Sequence, residues 1–300
     1  MSSIPDEKIL EILAREGLLT DKQCRSIISK APEQKRRLTQ IEKVKASGLP
    51  EQQHIEHQVT MVDVVASLQI SISGQETGAL DEEQIVKALA RHLKVPYKKI
   101  DPLQLDLDVV TKTIPRLFAL KHVVVPVGIT NGKLEVVMYD PTDAGLLEDL
   151  RRVTTLEVTP AMGTKADILK IIREFFGFKF SIVAAETQLA QPSVDLGNLE
   201  QYTRLKSISE IQSTDTHIKN AVDYLFHYAF DQRASDIHIE PKRDQLLIRF
   251  RIDGMLHTIY KLPKAVHPAI TSRIKTLSRI DIAEKRRPQD GRIKVSHQHQ

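Results

Sequence analysis

Apolar residues recur at three- and four-residue spacing through "DEKILEILAREGLLTDKQCRSII", pause at Gly17, and resume after Thr20. Thr20 stands where a side chain can cap the second run, so the stretch predicts a helix, a glycine stop and another helix. A similar phrase returns in "GALDEEQIVKALARHLKVPY", with Asp81 as cap and an extended exit past Pro96 into the "KIDP" turn. The polar, glycine-containing "ISISGQETGAL" joins the two.

From about residue 100 the pattern changes to alternating elements. "HVVVPVGI" and "LEVVMYD" are short β-branched runs joined by "TNGK", a strong hairpin signal. "DPTDAGLLEDLRRVT" predicts a turn and a helix capped by Asp140 or Thr142, with Asp143 near its positive end. "TLEVTPAM" predicts another strand, and "KADILKIIREFFG" a closing helix, with Phe175, Phe176 and Phe178 in the core. Residues 181 to about 215 show no steady period and are rich in Ser, Thr and Gln, the composition of a linker.

Periodicity resumes in "IKNAVDYLFHYAFDQR", whose apolar stripe predicts a helix laid on a sheet. "SDIHIEP" and "QLLIRFRIDG" alternate as half-buried strands, and the second puts Leu247, Arg249 and Arg251 on one face, Ile248 and Phe250 on the other. Asp253-Gly254 turns the chain into "MLHTIYKL", "AITSRIKTLSRI" predicts a helix, and "DIAEKRRPQDGRIKV" leads to a last strand.

Charge singles out this last region. Between residues 242 and 292 there are thirteen Lys and Arg against five Asp and Glu, a net +8 in a chain whose total is +4. A local basic field faces an anion: nucleic acid, a membrane surface or nucleotide phosphates. The lone cysteine, Cys24, excludes an intramolecular disulfide framework and a cysteine-rich zinc site. Neither a run of roughly 20 apolar residues nor a signal-peptide start is present, so the expected location is the cytoplasm.

"RASDIHIEP", "IRFRIDGML" and "SRIKTLSRIDIAEKRRPQDGR" together resemble the second N-terminal domain of the ATPases that drive type II secretion and type IV pilus assembly. Upstream, "ARHLKVPYKKIDPLQLD" and "IPRLFALKHVVVPVGITNGKLEVVMYDPTD" are similar to the first N-terminal domain of that family, so the resemblance covers roughly residues 76–292. The expected fold class is α/β (α+β). Its parts are an N-terminal helical docking region over 1–75, a small α/β sandwich domain over 76–178, a linker over 179–215 and a partial PAS-like α/β domain over 216–300. The resemblance implies a hexameric ATPase that uses ATP and Mg, engages an inner-membrane secretion or pilus platform component, and is peripheral at the inner membrane. It also implies that arginines of the second domain approach nucleotide held by the motor domain and neighbouring subunits, where a guanidinium can neutralise charge on the γ-phosphate. Arg292, following a turn, is the candidate of choice, with Arg287 and Arg273 beside it.

The family's phosphate-cradling G-x-x-x-x-G-K-[ST] segment does not occur in these 300 residues. "GITNGKL" at 128–134 has the wrong spacing and falls in the predicted hairpin. The expectation is a chain that stops before its motor, binds no cofactor tightly and has no ATPase activity alone. The alternative is a stand-alone binding module, for nucleic acid or cyclic di-GMP. Nucleic-acid binding calls for exposed aromatics among the basic residues, and this region offers only Phe250 and Tyr260, so no nucleic-acid partner is expected. In relatives that bind cyclic di-GMP an arginine and a glycine stand where this chain has Lys8 and Leu10. His54 and His57 lack a third metal ligand nearby, and His238 reads as an orienting hydrogen-bond partner, so no catalytic residue and no metal site are assigned.

Overall fold

A computed structural model describes residues 4–46, 55, 57–72, 78–190 and 216–295. The chain forms two compact units, Met1–Arg173 and Glu174–Gln300.

The first unit opens with four helices: α1 (Asp6–Arg15), α2 (Asp21–Ala46), α3 (Met61–Ser67) and α4 (Glu82–Leu93). In α1 the spacing of Ile9, Leu10, Ile12 and Leu13 makes one buried stripe, and Gly17 supplies the left-handed turn (φ 73°) that ends it. Thr20 starts α2 as expected, accepting the Gln23 N–H at 3.3 Å while the Gln23 side chain accepts the Thr20 N–H at 2.8 Å. The same reciprocal cap joins Asp81 to Gln84 in α4 and Thr60 to Asp63 in α3. Stripes from all four helices meet in one core that includes Leu13, Ile27, Val62, Val65, Ile85 and Leu89. The division expected between residues 75 and 76 runs through this core, because α4 closes over α1 and α3.

The short helices α5 (Leu107–Lys112) and α6 (Arg116–His122) lead into strands β1 (Val124–Thr130) and β2 (Lys133–Met138), with Asn131 and Gly132 at φ 52° and 75° in the turn between them. Helix α7 (Ala144–Thr154) crosses to β3 (Glu157–Met162), which runs parallel to β2, so the sheet order is β1-β2-β3. The cap of α7 is Asp143, which accepts the Leu146 N–H at 3.1 Å. Asp140, expected as that cap together with Thr142, instead holds the Thr142 N–H at 3.0 Å and closes the preceding turn.

Helix α8 spans Lys165–Ala190, and the boundary between the units falls inside it. The linker expected from 179 is therefore helical to 190, and residues 191–215 lie outside the described part. The helix continues past Gly177 because its apolar stripe continues: Phe175, Phe178, Ile182 and Ala185 are buried in the second unit. Phe178 stacks on Tyr260 with ring centroids 4.4 Å apart and meets Tyr224 at 5.1 Å. Burial of these rings offsets the roughly 1 kcal/mol that an interior glycine costs a helix.

The second unit continues with α9 (residues 216–231), strands β4 (Asp236–Pro241), β5 (Gln245–Ile252) and β6 (Met255–Pro263), and α10 (His267–Ser278). The sheet is antiparallel in the order β4-β5-β6. Leu246, Ile248 and Phe250 point into the core with Tyr260 and Leu262, and α9 supplies Ile218, Val222, Leu225 and Tyr228. The alternation read from the sequence is thus the alternation observed. Among the described residues 291–295 form no strand, contrary to the expected last strand after "PQDGR".

Candidate functional site

The two strand arginines are consumed within the sheet. Arg249 lies opposite His238 in the β4–β5 register and reaches diagonally to Glu240, its Nε donating to Oε1 at 3.1 Å and its Nη2 gripping the same oxygen. Arg251 stands directly opposite Asp236, with Nε 3.0 Å from Oδ2. Arg249, together with Lys242, holds the Glu240 carboxyl at about 2, well below its ordinary range. A depressed folded-state value means that this contribution to stability is present above the unfolded value and is lost as pH falls from there through about 2. Thermal unfolding of Glu240→Gln should accordingly depend less steeply on pH in that window than the unsubstituted chain. Identical slopes would show that the pair adds nothing.

The loop after α10 has a different arrangement. The helix ends with Arg279 in the left-handed region (φ 57°), its N–H donating to the Thr276 carbonyl at 3.2 Å and that of Ile280 to Lys275 at 3.1 Å. Asp281 and Glu284, carboxylates near enough in sequence to pair with arginines, are used locally on the backbone. Asp281 accepts the Ala283 N–H at 2.8 Å, and Glu284 accepts those of Arg286 and Arg287 at 2.5 and 3.2 Å. The Arg286 and Arg287 N–H groups hold the Glu284 carboxyl below its ordinary range. The side chains of Lys285, Arg286, Arg287 and Arg292 are exposed, and among the described residues none is paired with a carboxylate.

Two of the three arginine candidates, Arg287 and Arg292, therefore share one exposed loop. Arg273 stands half-buried on α10. Sequence reading missed Gln289 and Gly291. The Gln289 side chain accepts the Asp281 N–H at 2.9 Å and donates to the Asp281 carbonyl at 3.0 Å, and a Cβ on Gly291 would lie 2.7 Å from the Ser278 carbonyl oxygen. The only sequence signal for either was the turn chemistry of "PQDG".

Phe250 and Tyr260, the aromatics of the basic region, are core residues exposed to 1% or less, so neither offers a face on which a base could stack. Lys8 is exposed, but Leu10 is buried in the four-helix core rather than facing a ligand. His57 lies in an irregular stretch before α3, His54 is outside the described residues, and no metal-ligating cluster occurs among the described residues. "GITNGKL" is the β1–β2 hairpin.

The first unit also contains a cavity of about 400 Å³ whose lining includes Lys35, Lys121, Tyr139 and Lys165. Its best-anchored cation is already taken. Lys165, whose side chain is 8% exposed, lies 3.3 Å from Asp63 and 3.7 Å from Glu42, and its backbone N–H donates to Glu82 at 2.6 Å. Lys35 is likewise paired with Asp6 at 2.5 Å.

Residues 211–300 match the family described as Type II/IV secretion system protein, and residues 93–181 match the MshEN domain. The chain therefore carries segments similar to two domains, and the relatives it resembles are ATPases of type IV pilus assembly and proteins of type II secretion. It is 31% identical over 224 residues to the type IV pilus assembly ATPase PilB of Myxococcus xanthus, covering 73% of this chain and 38% of the relative. It is 28% identical over 222 residues to the type II secretion system protein E of Xanthomonas campestris, covering 72% and 38%. The chain thus spans little more than a third of the length of these secretion and pilus relatives. A solved structure described as MshE with cdg is similar at 19% identity and a TM-score of 0.36, covering 56% of this chain and 97% of that one. At that score it carries no argument about this chain.

Proposed function

We propose that this chain is the N-terminal regulatory and docking part of a hexameric ATPase that powers type II secretion or type IV pilus assembly. Its second unit would lend arginines to ATP and Mg held mainly by a P-loop motor domain. Its first unit would engage an inner-membrane platform component, which makes the assembly peripheral to the membrane. Among the described residues no helix is long and apolar enough to cross a membrane.

The observation that carries this reading is the loop at 281–292, where Arg287 and Arg292 are exposed and, among the described residues, paired with no carboxylate, while Asp281 and Glu284 are used on the backbone. Arginines left in this state are available to an anion, and a guanidinium grips two phosphate oxygens at once. Arg273 would act from α10, nearer the core. The domain roles proposed are docking for the helical segment at 1–75 and the α/β segment at 76–178, connection for 179–215, and nucleotide contact for 216–300. The buried Phe250 and Tyr260 argue against nucleic acid, and Leu10 in the helical core argues against close backbone approach by cyclic di-GMP.

ATP turnover checks the division of labour. The purified chain should show none above background, since no phosphate-cradling motif occurs in the 300 residues. In the presence of the motor domain, turnover should depend on residues 216–295. Activity that survives repeated purification of the chain alone, or a motor indifferent to deletion of 216–295, would overturn the reading.

A further inference from the structure

We infer that Gln289 and Gly291 are positioning residues for Arg292, fixing the direction in which its guanidinium meets phosphate. The inference rests on the reading of Arg292 as a phosphate contact. A long arginine on an exposed loop has many rotamers and a mobile backbone, and ordering both would be an entropic cost of each encounter with ligand. Here the backbone part of that ordering is built in without use of any arginine side chain.

Gln289 does the work of a strand neighbour. Its Oε1 accepts the Asp281 N–H at 2.9 Å, and its Nε2 donates to the Asp281 carbonyl at 3.0 Å and to the Glu284 carbonyl at 3.4 Å. One amide side chain thereby closes the loop across eight residues. The Lys275 ammonium, from α10, donates to the Glu284 carbonyl as well.

Gly291 completes the frame by what it lacks. A Cβ there would come within 2.7 Å of the Ser278 carbonyl oxygen, 2.7 Å of Ile280 Cγ2 and 2.9 Å of Ser278 Cβ. Trimming Ile280 would not make room, because the Ser278 oxygen belongs to the backbone. The chain can therefore lie against the end of α10 only with glycine at 291, and the next residue is Arg292. Gln289 ties the outer turn, Gly291 seats the returning chain against the end of α10, and the exposed guanidinium is carried on the product of both.

A double-mutant cycle on the motor-containing ATPase tests this, with kcat and KM for ATP measured for the unsubstituted protein, Gln289→Ala, Arg292→Ala and the double variant. Gln289 is exposed, so Gln289→Ala should fold, and an unchanged melting temperature of the present chain checks that. Displacing a reacting group by about an ångström costs roughly 10²-fold. Gln289→Ala should therefore lower kcat and kcat/KM together by about that factor in the Arg292 background, and by no more than about 2-fold when Arg292 is already alanine. Equal losses in both backgrounds, or no loss in either, would overturn the positioning role and leave Arg292 as a phosphate contact. Full activity of Arg292→Ala would overturn both.

Discussion

Arg292→Ala in the motor-containing ATPase lowers ATP turnover by about 10³- to 10⁵-fold if its guanidinium meets the γ-phosphate across a domain or subunit boundary, less if Arg287 shares the charge. Folding is unaffected, because Arg292 is exposed and contributes nothing to a core. Lysine restores only part of the activity: it keeps the charge but loses the planar fork that grips two oxygens. The control is Arg249→Ala. That guanidinium is held by Glu240 on the sheet, so its loss costs at most about 1 kcal/mol of stability and leaves turnover near the unsubstituted value. Measurement at saturating ATP separates the two arginines. Equal turnover in the unsubstituted protein and Arg292→Ala would return Arg292 to the ordinary state of a solvated surface cation.

The second large effect is on stability, in the first unit, and is asymmetric. Asp63→Ala removes the nearest partner of Lys165, whose side chain is 8% exposed, and also the reciprocal cap with Thr60 at the start of α3. An ammonium stranded in a buried position costs about 3–5 kcal/mol. The lower end applies, since Glu42 remains at 3.7 Å. Lys165→Met, in contrast, removes the buried charge while keeping an apolar chain of similar length. Asp63 is left accepting from the Thr60 N–H at 2.8 Å and hydroxyl at 2.9 Å, so the expected cost is within about 1.5 kcal/mol. The double variant should recover most of the Asp63→Ala loss, short by about 1 kcal/mol for the missing cap. Urea unfolding of the four proteins decides it: if Lys165→Met is as damaging as Asp63→Ala, the lysine contributes net stability rather than needing rescue from burial.

Local signals in the chain determined local structure. Thr20 and Asp81 cap helices where their spacing to Gln23 and Gln84 predicts it, Asn131-Gly132 makes the β1–β2 hairpin, and period-two alternation puts Phe250 inside and Arg249 outside. These follow from the sequence because each depends on groups within a few residues of one another, and a cap or a hairpin turn has the same geometry wherever it occurs. The density of ordered motifs at 76–292 was enough to indicate the likeness to secretion and pilus ATPases as well.

What required the tertiary structure concerns groups brought together from distant positions. Helix α8 outlasts Gly177 because Tyr224 and Tyr260 cover its rings, α4 joins the N-terminal helices because its stripe matches theirs, and Lys165 finds Asp63 across 102 positions of sequence. The arginines show the difference most directly. Composition marks 242–292 as basic without separating Arg249 and Arg251 from Arg287 and Arg292. Strand register delivers the first two to Glu240 and Asp236, while the end of α10 and the amide of Gln289 shape a loop that leaves the other two without a carboxylate among the described residues. A side chain's charge is a property of the sequence, but whether that charge is neutralised depends on which carboxylate the fold brings within about 4 Å of it.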